Sequence, residues 1–144
     1  MSDVVACPAC GKKNRLPAAA NGVPRCGSCR APLPWLTAAG DDDFGEVADR
    51  SPVPVLVDLW APWCGPCHAV APAVEQAARA LAGRAKVVKV NVDQAPRVSA
   101  RFAARSIPTL VVLDRGTVVD RRVGALAPEA LLRWAEDAVD RRAA

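Results

Sequence analysis

The chain carries six cysteines, and all fall into Cys-x-x-Cys pairs: Cys7/Cys10, Cys26/Cys29 and Cys64/Cys67. Two chemistries use that spacing: a dithiol can open and close a disulfide, and two such pairs can hold one metal ion. Cys64 and Cys67 stand in Trp60-Ala61-Pro62-Trp63-Cys64-Gly65-Pro66-Cys67, where an apolar run meets a helical pattern. Cys64 is therefore expected at a helix N-terminus, where unpaired N–H groups and the helix dipole favour an anion. The thiolate is the nucleophile, so a lowered pKa would make Cys64 reactive near neutral pH. Cys67, one turn on, can reach back and close the disulfide. On spacing alone a metal remains open at this pair too.

The other four cysteines form two knuckles, Cys7-Pro8-Ala9-Cys10-Gly11 and Cys26-Gly27-Ser28-Cys29-Arg30, with fifteen residues between Cys10 and Cys26. That is zinc-ribbon spacing. Each knuckle must turn tightly to bring both sulfurs to one ion, and Gly11 and Gly27 are expected to permit the turns. Four thiolates at Cys7, Cys10, Cys26 and Cys29 favour tetrahedral Zn²⁺, with iron as the minor rival. A closed structural site is expected, with oxidation and zinc release as the functional alternative. The segment is too short and polar to fold on a core of its own, so metal binding would drive its folding.

These pairs need elements to place them. Val53–Trp60 is apolar on both faces, the mark of a central strand covered by helices, with Asp58 as the anomaly inside it. A buried carboxylate is costly unless paired, and burial raises its pKa. Its position just before the dithiol suggests a proton acceptor close to Cys67. A helix is expected from Cys64 to Ala82, its buried face made by Val70, Val74, Ala77, Ala78 and Leu81, with a kink at Pro72 and an end at Gly83. Lys86–Val92 reads as a strand parallel to the first. A helix follows at Pro96–Arg105, and then a hairpin of Leu110–Leu113 and Thr117–Val123 turning at Arg115-Gly116. Pro128 to Arg142 closes the chain as an amphipathic helix with Leu131, Leu132, Ala135 and Val139 inward. Before the first strand, the stiff Ala31–Trp35 segment suits a linker or an edge strand near Leu33–Thr37, and Asp41–Asp43 marks a helix start. The fold class is α/β, a mixed central sheet flanked by helices and preceded by a small zinc-ribbon module. The expected division is 1–31 for the ribbon and 32–144 for the α/β domain.

Composition bounds the rest. The chain has 144 residues, 51% of them hydrophobic, enough for one core and a small appendage. The net charge of +4 belongs to residues 1–36, where Lys12, Lys13, Arg15, Arg25 and Arg30 face only Asp3. No aromatic is interleaved among these cations for base stacking, so solvated surface charge is expected rather than a nucleic-acid site. There is no run long enough for a membrane span and no leader-like pattern after Met1, so a cytoplasmic protein is expected.

From about residue 33 to 142 the chain resembles thioredoxin. Trp63-Cys64-Gly65-Pro66-Cys67 matches that family's active-site motif, Asp58 its buried carboxylate, Pro72 its helix proline and Lys89 the lysine that pairs with the carboxylate. Pro108 in Ile107-Pro108-Thr109 matches its cis-proline, and Gly124 in Val123-Gly124-Ala125 a glycine of its substrate groove. With the four-cysteine ribbon in front, the whole chain resembles the bacterial thioredoxin 2 subclass. Leu59 stands where Phe is usual, and His68, the only histidine, where Lys or Arg is common; a small effect is expected of it. The resemblance implies a thiol-disulfide oxidoreductase that reduces protein disulfides. Cys64 attacks, and Cys67 resolves with help from Asp58 and Lys89. Trp63, Gly65, Pro66, Ile107, Pro108, Gly124 and Ala125 bind the substrate. It further implies electrons from an NADPH-linked thioredoxin reductase, and a monomer is expected. The alternatives are a zinc-dependent binding or holdase module, and a disulfide isomerase or oxidant.

Overall fold

The computed structural model describes residues 3–143. Two strands, β1 (Asp3–Ala6) and β2 (Lys13–Leu16), form an antiparallel hairpin at the N-terminus. The main sheet is built from β3 (Leu36–Ala38), β4 (Val55–Trp60), β5 (Lys86–Asn91), β6 (Thr109–Asp114) and β7 (Thr117–Val123), in the order β3-β5-β4-β6-β7. β3 and β4 run parallel to β5, whereas β6 runs antiparallel to both β4 and β7. This is the expected mixed sheet. Every residue of β4 except Trp60 is buried, because helices cover both of its faces.

α1 (Gly65–Ala80) and α3 (Pro128–Ala143) cover one face, packing on Leu56, Val87, Leu110 and Val112. α3 buries Leu131, Trp134, Ala135, Ala138 and Val139, a stripe of i, i+3 and i+4 spacings, and leaves Leu132 half-buried at its margin. On the other face, α2 (Pro96–Arg101) and a short π-helical segment, Gly45–Asp49, bury Phe44, Val47, Val98 and Phe102 against Val57, Leu59, Val88 and Val111. The acidic start expected at Asp41–Asp43 has a further role: Asp41 accepts from the backbone N–H groups of Arg97 and Val98 at the start of α2. α1 runs on through Pro72 and ends at Ala80, with Gly83 (φ +82°) in the turn that follows. The β6–β7 turn holds Arg115 and Gly116 at φ +50° and +84°, the geometry that two-residue hairpins favour.

The N-terminal module packs against the sheet. Cys7, Leu16 and Cys26 share one buried cluster with Leu33 and Trp35, so the ribbon borrows apolar side chains from beyond its last cysteine. Trp35 Nε1 donates to Pro17 O at 2.8 Å. Lys86, wholly buried at the start of β5, donates through Nζ to Ala18 O and to Val47 O (2.7 Å), with the ammonium 4.2 Å from the Trp35 ring centre. Gly83 has a second constraint here, because a Cβ there would meet Pro32 at 3.1 Å.

Candidate functional site: a dithiol and a four-cysteine cluster

The dithiol sits where β4 passes into α1. Cys64 is the N-cap of α1, with extended backbone, and its sulfur accepts the Cys67 N–H at 3.1 Å. A cap needs an acceptor for one of the helix's orphan N–H groups. Here a sulfur fills that role, and the helix therefore stabilises negative charge on it. Pro66 in the first turn has no N–H to leave unpaired. Cys64 and Cys67 are joined as a disulfide, both buried, in a small cluster with Ala61 and partly buried Trp60, Val92 and Ile107.

The residues expected to bind substrate gather here. The Ile107–Pro108 peptide bond is cis, and the Ile107 carbonyl oxygen lies 3.7 Å from the Cys64 sulfur. Gly124 N donates to Pro108 O at 2.8 Å, which brings the end of β7 beside the proline. Gly65, Pro66 and Ala125 are exposed, and Trp63 is 70% exposed. Sequence reading missed Asp93, whose carboxylate accepts from Trp63 Nε1 at 2.9 Å and holds the indole at the surface. It also missed Val123, 54% exposed beside Gly124. Neither an Asp after a strand nor a Val at a strand end carries a signal of its own.

Asp58 and Lys89 are cross-strand partners in the β4–β5 register. Their charged groups are 4.0 Å apart. Burial pushes the Asp58 carboxyl up to about 6 against the opposing pull of Lys89. Asp58 Oδ1 has no protein partner among the described residues, so the carboxylate is only half compensated. Lys89 also lies 5.0 Å from the Trp60 ring centre, and His68 packs edge-on against the same ring. His68 Nε2 lies 2.7 Å from Pro62 O, so the imidazole is tied into the loop before the dithiol rather than free on the helix.

The remaining cysteines converge as expected. The sulfurs of Cys7, Cys10, Cys26 and Cys29 all lie within 4.8 Å of one another. Four ligands at about 2.3 Å from Zn²⁺ in a tetrahedron lie roughly 3.8 Å apart, so the cluster fits one such ion. The donor chemistry agrees. The Cys26 sulfur also accepts from the Ser28 N–H at 3.4 Å and the Asn14 amide at 3.5 Å, hydrogen bonds that favour a thiolate there. In one respect the expectation fails. The two knuckles turn through a positive φ at Gly11 (+80°) and at Arg30 (+69°), not at Gly27. Each of these residues follows the second cysteine of its pair. There its N–H turns back to the first, Gly11 N to Cys7 O and Arg30 N to Cys26 O. The demanding position is set by the knuckle's hydrogen bond, and in the second knuckle an arginine fills it.

Comparison with known proteins decides the family. Residues 35–137 match the thioredoxin family model. The chain belongs to the thioredoxin family. It is 49% identical over 94 residues to "Thioredoxin" of Haemophilus influenzae, an alignment covering 65% of this chain and 88% of that protein. It is 48% identical over 96 residues to "Thioredoxin 1" of a Nostoc species, covering 67% and 90%. "Thioredoxin C-3" of Corynebacterium nephridii is 40% identical over 134 residues, covering 91% of this chain and 92% of that protein. The last alignment takes in most of the N-terminal cysteine segment as well. The protein is thus a thiol-disulfide oxidoreductase of the thioredoxin type, and Cys64–Cys67 is its disulfide. Among the described residues, no helix is long and apolar enough to cross a membrane.

Proposed function

We propose that the reduced protein reduces disulfides in other proteins of the cytoplasm. The Cys64 thiolate attacks one sulfur of the client disulfide, forming a mixed disulfide and expelling the client's other sulfur as a thiolate. The Cys67 thiolate then attacks the Cys64 sulfur, releasing the second client thiolate and closing Cys64–Cys67. Two electrons pass from the dithiol to the client. Asp58, steadied by Lys89, accepts the Cys67 proton. Its carboxyl, raised to about 6, is ionised at neutral pH yet a better base than a solvated one. Trp63, Gly65, Pro66, Ile107, Pro108, Gly124 and Ala125 form the rim on which the client lies. An NADPH-linked thioredoxin reductase returns the electrons, and the protein works as a monomer.

The observation that carries this reading is the N-cap sulfur: Cys64 is placed where a thiolate is favoured, with Cys67 within bonding reach. The test is insulin-disulfide reduction with NADPH and thioredoxin reductase. Wild type should turn over and Cys64→Ser should not; a variant as active as wild type refutes the assignment.

Cys7, Cys10, Cys26 and Cys29 would hold one zinc that closes the 1–31 module onto residues 32–144. Bound there, zinc supplies structure rather than reactivity, because four thiolates leave it no open position. Protein purified anaerobically should contain one zinc per chain by metal analysis, and protein without zinc contradicts the assignment.

A further inference from the structure

A cavity of about 610 Å³ lies between the N-terminal hairpin and the outer edge of the main sheet. Val4, Val5 and Ala6 of β1 form one wall, and Leu36, Thr37 and Ala38 of β3 the other. Side chains alternate between faces along a strand. A space that meets three consecutive residues therefore runs along a strand's edge and not over one face. Among the described residues both edges are open, since β1 pairs only with β2, and β3 only with β5.

The hydrogen bonds fix which groups face the gap. Val87 N donates to Trp35 O, and Ala39 N donates to Lys89 O, so residues 35, 37 and 39 bond toward β5. By alternation Leu36 and Ala38 turn their N–H and C=O away from it. In the hairpin, Cys7 N donates to Lys12 O, which places Val5 opposite Asn14 in a bonded pair. Val4 and Ala6 then present their N–H and C=O outward. Both open edges thus offer backbone donors and acceptors at every second residue.

The floor is one face of α1, Glu75, Ala78 and Arg79, with the small Ala78 between the two charges. The buried Thr37 hydroxyl, which has no partner among the described residues, belongs to this lining. The surrounding charge is positive. Lys13 and Arg15 stand opposite Ala6 and Val4 in the hairpin register, exposed and without an ion pair among the described residues. Of the charges lining the gap itself, Arg79 and Lys89 outnumber Glu75, although Lys89 also stands 4.0 Å from Asp58.

We propose that this gap is a docking site for an extended acidic segment of another polypeptide, which adds as a strand to the open edges of β1 and β3. Main-chain hydrogen bonds supply affinity, and the cations select acidic flanks. A second copy of this chain is a poor occupant, because its own edge would bring Lys13 and Arg15 against themselves. The surface lies apart from the rim around Cys64 and shares no residue with it. Lys89, the partner of Asp58, is its one link to the dithiol machinery.

The test uses the full zinc-loaded chain and a fluorescent synthetic peptide alternating Val and Glu, free of cysteine so that it offers nothing to the dithiol. Anisotropy should show saturable binding that weakens with salt. A twin peptide methylated on alternate backbone amides should bind at least ~10-fold more weakly. The Lys13→Glu, Arg15→Glu double variant, checked for zinc content, should lose roughly 10-fold in affinity and keep wild-type insulin reduction. Equal binding of the methylated twin rules out strand addition. Unchanged affinity in the double variant rules out the charge selection. Absent binding, or a peptide-free dimer in sedimentation that Lys13→Glu, Arg15→Glu disrupts, overturns the proposal outright.

Discussion

Replacing Asp58 by Asn should change how stability depends on pH, and the size of the change follows from the site. Burial lifts the carboxyl from its ordinary 3.8 to about 6, with Lys89 only partly opposing it. One pKa unit is worth about 1.36 kcal/mol, so holding Asp58 ionised costs the fold ~3 kcal/mol. The sign follows from proton counting. Between pH 3.8 and about 6 the folded state binds more protons than the unfolded state, so the stability contributed by neutral Asp58 is full below that window. It is lost as pH rises through about 6. Asn cannot titrate. Its buried amide hydrogens lack acceptors, which imposes a penalty of ~1–3 kcal/mol, but that penalty is the same at every pH. The informative quantity is therefore the difference between the two profiles. Relative to wild type, the oxidised Asn variant should gain about 2–3 kcal/mol between pH 4 and pH 7, and nothing further above pH 7. Urea unfolding at a series of pH values measures this. Parallel profiles would show that Asp58 titrates normally in the fold and would refute the argument. The same variant should resolve mixed disulfides more slowly at neutral pH, because Cys67 has lost its base.

Two further predictions concern the N-terminal half. Lys86 is held down to about 8 by burial, and its ammonium donates to the Ala18 and Val47 carbonyls. Between pH 8 and 10.5 the unfolded chain binds the extra proton, so this residue makes stability rise with pH through that window. Lys86→Met should abolish the rise in thermal or urea unfolding, and a rise that persists would place its origin elsewhere. Arg30 carries a left-handed φ of +69° at the position Gly11 fills in the first knuckle. Arg30→Gly should therefore stabilise the zinc-loaded protein by about 1 kcal/mol in urea unfolding, net of the added chain entropy. A loss of stability would mean that the Arg30 side chain matters more than its backbone.

The sheet, its helices and both cysteine sites were legible because they rest on local pattern. β4 is apolar on both faces, α1 repeats Val70, Val74 and Ala77, and Cys-x-x-Cys fixes sulfur geometry within a few residues. What escaped was set by contacts distant in sequence. Lys86 reads as an ordinary polar strand-starter, and only packing against Ala18, Trp35 and Val47 makes it a buried fastening. Trp35 looks like linker and proves to be shared core under the ribbon. Helix ends shifted for a similar reason. α2 stops at Arg101, and Ala103 takes a φ of +49°, because Phe102 must turn into the core. His68 was expected only to have a small effect, and its contact with Pro62 O depends on how the preceding loop folds back.

The two lysines of β5 carry an argument that neither carries alone. They are three residues apart, so they point to opposite faces of the sheet. Lys89 faces the side of Val87 and α1, where Asp58 waits across the register. Lys86 faces the side of Val88 and Val47, where carbonyls and the Trp35 ring receive it. A slip of β5 by one residue would exchange those faces. It would drive the Lys89 ammonium into the cluster around Phe44 and Phe102, leave Asp58 buried without its cation, and pull Lys86 off Ala18. Each loss strands a buried charge, at a cost of several kcal/mol. A sheet whose central strands are nearly all Val and Leu has little else to fix its register, because one aliphatic side chain packs much like the next. The buried Lys86 and the half-buried Lys89 supply that specificity. In doing so they fasten the cysteine-rich module at one end of the strand and the proposed proton acceptor near its middle.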